Sequence, residues 1–259
     1  MKPKKTLGQN FLTSGKAIFE IVRGGEVEKG ENILEIGPGK GALTEQILQA
    51  GGRVLAVEAD KELVPFLENK FKKEIKDKDL KIIEGDILNI NIEEYYKKND
   101  NYKIIANIPY YITGAIIEKF LSIKKKPKTM ILLVQKEVAE RIVARDKKES
   151  ILSLAVKLYG DPRIIYKVSA GSFFPKPKVD SAVLSIKIKE NNLTEVEEKK
   201  YLNLIKTAFS HKRKVMINNL REKYKDNDWE KIFETIKIDI KTRAEDVDRD
   251  TFLKIVHLL

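Results

Sequence analysis

Short apolar runs alternate with amphipathic stretches through the first half of the chain. Apolar runs bounded by turn residues read as buried strands, and apolar positions recurring every three or four residues read as helices lying on a sheet. The pattern predicts helices over 16–23, 42–50, 61–71 and 113–121. Between them it predicts strands over 32–36, 53–57, 81–84, 103–106 and 129–135. This β-α-β-α rhythm argues for an α/β fold whose sheet is mostly parallel and covered on both faces. The rhythm then changes. Residues 163–168 and 181–188 read as strands with no long helix between them, which predicts an antiparallel addition to the sheet. From Glu195 only helical patterns follow, over 201–210, 214–224, 229–235 and 249–258. A boundary near Asn191 divides the chain into 1–190 and a small all-helical domain, 191–259.

Chemistry-bearing residues fall at the ends of successive predicted strands. The run Glu35-Ile36-Gly37-Pro38-Gly39-Lys40-Gly41 closes the first. Glycine there lets the backbone turn sharply and lets a ligand approach closely. Gly37, Gly39 and Ala42 match the Gly-x-Gly-x-x-Gly/Ala fingerprint, so the loop alone fits a nicotinamide or an adenosyl cofactor. Glu58, ending the second strand, is placed to hold a ribose of either one. Asp86, ending the third, can accept from an adenine amino group while Ile87 packs on the ring. With Asn107 these residues converge on the crevice where open α/β sheets bind ligands.

The loop Asn107-Ile108-Pro109-Tyr110 is the most specific of these features. The Asn107 side-chain oxygen and the Ile108 carbonyl can both accept hydrogen bonds from one amino group. Pro109 stiffens the turn that carries them, and Tyr110 offers a flat face to a planar ring. The set suits a site that grips the exocyclic amine of a base.

Composition narrows the classes. The 259 residues permit a large domain with a small one beside it. A formal charge of +11 favours a polyanionic partner such as nucleic acid. There is no cysteine, and the two histidines, His211 and His257, lie near the C-terminus. That removes thiolate zinc sites and cysteine nucleophiles and argues against a Ser-His-Asp triad, so no metal is expected. The longest apolar stretch, 130–134, is too short to cross a bilayer, and the basic first residues are followed by no apolar signal segment. A cytoplasmic monomer is the expectation.

Over nearly its full length the chain resembles the ribosomal RNA adenine N6-dimethyltransferases, which modify two neighbouring adenosines near the 3′ end of small-subunit rRNA. Leu7-Gly8-Gln9-Asn10-Phe11-Leu12 resembles the family's arm over the cofactor. Residues 33–44 resemble its glycine-rich loop, and 107–111 its catalytic loop. Val134-Gln135-Lys136-Glu137-Val138-Ala139 with Arg141 is similar to the following strand and helix. Phe174-Pro175-Lys176-Pro177-Lys178-Val179-Asp180-Ser181-Ala182-Val183 is a long match. Phe209, Lys212, Arg213, Lys214 and Asn219 resemble the basic start of the family's helical domain.

The resemblance implies a Rossmann-like methyltransferase sheet. It implies S-adenosyl-L-methionine as donor, touched by Asn10, Leu12, Gly37, Glu58, Asp86 and Asn107, and an immature 30S-type subunit with its rRNA as partner. Its implied product is N6,N6-dimethyladenosine. Three alternatives stand beside it. The erythromycin-resistance methyltransferases share Asn-Ile-Pro-Tyr and act on a large-subunit adenine, but residues 179–183 and Arg213-Lys214 look more like the small-subunit group. A non-catalytic assembly factor has no need of an intact Asn107, Pro109, Tyr110 and Asp86. A nicotinamide oxidoreductase leaves the amide-aromatic loop and the positive charge unexplained.

The target base must leave its stack to reach such a pocket. Tyr110 would cover one face, and Phe173 or Phe174 the other, with Phe174 taken as the candidate. Phosphate contacts are expected from Lys4, Lys5, Lys206, Lys212, Arg213 and Lys214. Asp180 and Ser181 either orient the aromatic loop or cap a strand.

Overall fold

Strands that must be covered on both faces need continuous apolar runs, and three of them form the centre of the sheet. In the computed structural model, which describes residues 3–4, 7–96, 100–211 and 214–259, these are β2 (Asn32–Ile36), β5 (Tyr102–Asn107) and β6 (Thr129–Gln135). Ile33, Leu34, Ile104, Ile105 and Met130 through Val134 are all sealed from solvent. A short β1 (Phe11–Leu12) precedes them, and β3 (Arg53–Glu58), β4 (Leu80–Glu84), β7 (Gly160–Val168), β8 (Phe173–Phe174) and β9 (Ser181–Ile188) complete the strands.

Seven strands form one sheet in the order β4-β3-β2-β5-β6-β9-β7. The pairs from β4 through β6 are parallel, and β9 runs antiparallel to β6. The expected α/β class with an antiparallel addition is therefore what the chain forms. The edge strand β7 begins at Gly160, earlier than expected, and alternates in exposure. Gly160-Asp161-Pro162 reads as a turn in sequence, but an edge position tolerates the missing N–H of Pro162.

The helices α1 (Gly15–Gly25), α2 (Ala42–Gln49), α3 (Leu63–Lys70), α4 (Lys72–Lys76) and α5 (Thr113–Ser122) follow or precede these strands. Ser14 caps α1 by accepting from Ala17 N. The helix expected over 61–71 is α3, and the short α4 follows it directly. At Phe71 the backbone leaves the helical region, and its ring packs beneath Gly41. Gly41 has φ +76° and a Cβ there would sit 2.5 Å from that ring, so glycine is required on both counts.

The ladder between β2 and β5 ends at Leu34–Ile104, short of Ile36 and Asn107. Here the chain has crossed back from the β4 edge to start the other half of the sheet. The opening beyond these strand ends is where an α/β sheet takes a ligand.

Contacts divide the chain into two units. One comprises 1–139 and 161–188, and the other 140–160 and 189–259. The boundary expected near Asn191 adjoins the third crossing, at 188/189, and 140–160 group with the helical unit. That unit holds the second half of α6 (Lys136–Val143), then α7 (Ile151–Tyr159), α8 (Glu195–Ala208), α9 (Met216–Lys223), α10 (Trp229–Thr235) and α11 (Arg249–Leu258). α7, which sequence left unassigned, starts at a Ser150–Ser153 capping box. It is held by Tyr201 Oη donating to the Leu154 carbonyl at 3.3 Å and Glu149 N donating to Glu245 O at 2.7 Å just before it. Among the described residues no helix is long and apolar enough to cross a membrane.

Candidate active site

A cavity of about 570 Å³ opens beyond the strand ends of the larger unit. That is within the range of small-molecule sites, about 300–1,000 Å³. Its floor is the loop after β2. Gly37 N donates to Val57 O at 2.9 Å, and Gly41 N to Pro38 O at 2.9 Å, so the glycine turn is tied to the neighbouring strand and to itself. Gly37 and Gly39 both line the cavity.

Glu58 ends β3 and is 5% exposed. Its two oxygens each accept one backbone N–H, from Gly39 at 2.9 Å and from Asp60 at 2.8 Å. Burial raises its pKa, and those two N–H bonds oppose the rise. A carboxylate has about four acceptor positions, so two remain for hydroxyl donors.

Asp86 and Ile87 border the same cavity. Asp86 also caps its own turn, accepting from Leu88 N at 2.9 Å. Lys119 on α5 braces this turn by donating to the carbonyls of Leu88 (3.0 Å) and Ile90 (2.7 Å). Burial lowers the Lys119 pKa, and Asp86 opposes that. Nothing in the sequence signals this brace, because a lysine on a helix reads as solvated.

Asn107 ends β5. Its Nδ2 donates to the Asn10 carbonyl at 3.2 Å. That bond fixes the orientation of the amide and leaves Oδ1 as its acceptor. Ile112 N donates to Pro109 O (3.2 Å) and Thr113 Oγ1 to Tyr110 O (3.1 Å), closing the turn that holds Ile108, Pro109 and Tyr110. Tyr110 Oη lies 2.6 Å from Ser181 Oγ on β9, and Asp180 Oδ1 accepts from Ala170 N at 2.9 Å. Ser181 thus orients the aromatic loop, while Asp180 caps the segment before β8.

Asn10 and Leu12 line the cavity from the N-terminal arm. β1 pairs antiparallel with β8, setting Phe11 opposite Phe174 and Leu12 opposite Phe173. Strands of two residues carry no legible periodicity, and the ribbon was not expected. It gives the two phenylalanines different exposures. Phe173 is in the core at 4% exposure, and Phe174 stands in solvent at 62%.

Glu35, the first residue of the glycine motif, gains a surrounding that its sequence position does not signal. It is 1% exposed, lines the cavity, and neither of its oxygens makes a hydrogen bond among the described residues. Burial pushes its carboxyl up to about 8, with nearby Thr44 opposing.

The expected phosphate contacts separate into three groups. Lys206 and Lys214 are exposed on the helical unit, with Lys214 Nζ 3.2 Å from Glu222 Oε1. Lys5, Lys212 and Arg213 lie outside the described residues. Buried Asn219 donates to the carbonyls of Ala208 (2.7 Å) and His211 (3.3 Å), shaping the turn that leads into the basic loop. Lys4 differs from the others, because its ammonium is engaged by Asp60 at 2.7 Å and Glu62 at 2.9 Å, beside the cavity.

Comparison with known proteins agrees with this geometry. The family model described as ribosomal RNA adenine dimethylase matches residues 1–259. The chain is 41% identical to a ribosomal RNA small subunit methyltransferase A from Mycoplasmopsis pulmonis, over 97% of each chain. A dimethyladenosine transferase structure from Plasmodium falciparum is similar at TM-score 0.78 and 27% identity, covering 95% of each chain. The 23S rRNA methyltransferase ErmE has a similar fold, with TM-score 0.79 over 96% of this chain and 98% of its own, at 23% identity.

Proposed function

The chain belongs to the ribosomal RNA adenine dimethylase family, and from that premise we propose that it dimethylates N6 of two adjacent adenosines near the 3′ end of small-subunit rRNA. The observation that carries the reading is the Asn107 amide, held by Asn10 at the mouth of a donor-sized cavity with Ile108, Pro109 and Tyr110 beside it. The large-subunit alternative rests on a likeness of fold at 23% identity.

The residues present fit S-adenosyl-L-methionine. Glu58 keeps acceptor positions for ribose hydroxyls, and Asp86 with Ile87 suits its adenine. Among the described residues the buried Glu35 carboxyl has no hydrogen-bond partner, and the donor's ammonium would supply one. Asn10, Leu12, Gly37, Gly39 and Asn107 enclose the remainder. Bound there, the donor supplies a methyl group already activated on a sulfonium.

The chain's task is to make a poor nucleophile attack. The lone pair of adenine N6 is delocalised into the ring. In the first transfer Asn107 Oδ1 and the Ile108 carbonyl accept hydrogen bonds from the two N6–H groups, pull the nitrogen toward tetrahedral geometry and aim its freed lone pair at the methyl carbon. In the second transfer the one remaining N6–H has a single acceptor to grip it. Positioning of this kind can contribute about 7–11 kcal/mol to lowering a barrier. The proton leaves a cationic product for solvent, so no strong base is needed. Tyr110 covers one face of the extruded base and Phe174 the other, while exposed Lys206 and Lys214 meet phosphates.

The test is methyl transfer from labelled donor to undermethylated small subunits, followed by mapping. Label on two adjacent adenosines of small-subunit RNA is expected. Label in large-subunit RNA, or none, contradicts the reading.

The neighbouring phenylalanines should separate in a second experiment. Phe173→Ala is expected to cost about 3–5 kcal/mol of stability in thermal melts. Phe174→Ala should melt like the parent and weaken engagement of the subunit by about 1–3 kcal/mol, the usual size of one base–aromatic stack, measured as a raised KM.

A further inference from the structure

The N-terminal arm crosses one wall of the cavity and is fastened at its outer end by a cluster the methyl-transfer mechanism does not use. Lys4 Nζ reaches Asp60 Oδ1 (2.7 Å) and Glu62 Oε1 (2.9 Å). Gln9 Nε2 donates to the other Asp60 oxygen at 2.9 Å, and Gln9 Oε1 accepts from Lys4 N at 2.8 Å. Leu7 N and Gln9 N donate to the Lys4 carbonyl at 3.2 and 3.4 Å. Asp60 is 4% exposed. Burial pushes its carboxyl up, but the bonds from Lys4 and Gln9 outweigh that and hold it below its usual range. Its own N–H donates to Glu58 Oε1 at 2.8 Å.

Both neighbours of this cluster belong to the site. Toward the donor, Asp60 is bonded to the carboxylate that suits the ribose. Along the arm, the residue after Gln9 is Asn10, whose carbonyl holds the Asn107 amide at 3.2 Å. Residues 7–12 line the cavity between these points. The arm's other anchor is the two-residue pairing of β1 with β8.

We propose that Lys4, Gln9 and Asp60 form the latch of a strap that encloses the methyl donor and, through the Asn10 carbonyl, sets Asn107 for transfer. The three are positioning residues. The proposal rests on the methyltransferase reading of the cavity and deepens it. A latched strap slows escape of the donor and makes the acceptor geometry at Asn107 depend on closure. It also assigns Lys4 a task at the donor instead of at the RNA backbone.

The experiment uses the full chain, adenosylmethionine and undermethylated small subunits. Wild-type donor binding and methyl transfer are measured first, and failure there counts against the methyltransferase reading and not the latch. In Lys4→Met the donor Kd should rise roughly tenfold, as for one lost charge-assisted hydrogen bond. kcat should fall, KM for subunits should stay near parental, and Lys4→Arg should restore the donor Kd. Added salt should weaken wild-type donor binding more than that of Lys4→Met, because only the former has an ion pair to screen. Hydrogen exchange of amides 7–12 should quicken in the variant at unchanged melting temperature. An unaltered donor Kd overturns the latch, and if KM for subunits rises instead, Lys4 is a phosphate contact.

Discussion

Replacing Asn107 with alanine should lower kcat for methyl transfer by about 10²–10³, the effect of removing one preorganised group from a transition state. The side chain enters on two counts. Its Oδ1 is one of the two acceptors that reshape N6, and its Nδ2 bond to the Asn10 carbonyl fixes which way that oxygen points. Only the first is lost in chemistry, so donor affinity should change much less than kcat. Loss of the Nδ2 bond alone should cost about 1 kcal/mol of stability. Asn107→Asp keeps an oxygen at the same place but sets a carboxylate against the Asn10 carbonyl. It should therefore be impaired as well, with the loss divided between donor binding and kcat. Single-turnover methyl transfer with saturating donor separates the two. A parental kcat in Asn107→Ala would remove the amide from the mechanism.

Glu35→Gln should make the protein more stable at pH 8 and poorer at holding its donor. The folded-state carboxyl is raised to about 8 by burial, above its ordinary 4.5. Between those values the folded state binds more protons than the unfolded chain, so stability falls as pH rises through the window and levels off above it. The slope is at most about 1.4 kcal/mol per pH unit. Glutamine cannot ionise. The donor-free variant should melt close to the parent at pH 5, above it at pH 8, and with a flatter profile between. Donor affinity should move the opposite way, because the donor's ammonium would lose a carboxylate that ionises to receive it. Parental binding below pH 8 should release a proton, visible as a dependence of titration heat on the ionisation enthalpy of the buffer. The variant should show no such dependence. A parental melting profile in Glu35→Gln would mean that the carboxyl is not held neutral.

The parts of the fold that sequence made legible are those whose signal is local. β2, β5 and β6 are buried on both faces and are dominated by apolar residues, interrupted by Glu35 in β2 and Lys103 in β5. Gly37, Glu58, Asp86 and Asn107 could be placed together because strand ends in a parallel sheet share one edge. What escaped depends on partners distant in the chain. Ile151–Tyr159 joins the helical unit through Leu154 and Tyr201, which are 47 residues apart. Lys4 reads as a phosphate ligand until Asp60, 56 positions on, is brought against it. Phe173 and Phe174 are chemically alike, and only pairing with the arm decides which one faces inward. Glu35 stands within an apolar strand, but its lack of a partner is a property of packing and not of composition.

The most direct measurement is a crystal structure of the chain with an unreactive amine analogue of adenosylmethionine and an RNA fragment bearing the target adenosines. The extruded adenine should lie against Tyr110 with N6 about 2.6–3.2 Å from both Asn107 Oδ1 and the Ile108 carbonyl, facing the position of the donor's methyl. An adenine bound with N6 turned away from those two oxygens, or lodged where neither can reach it, would contradict the account.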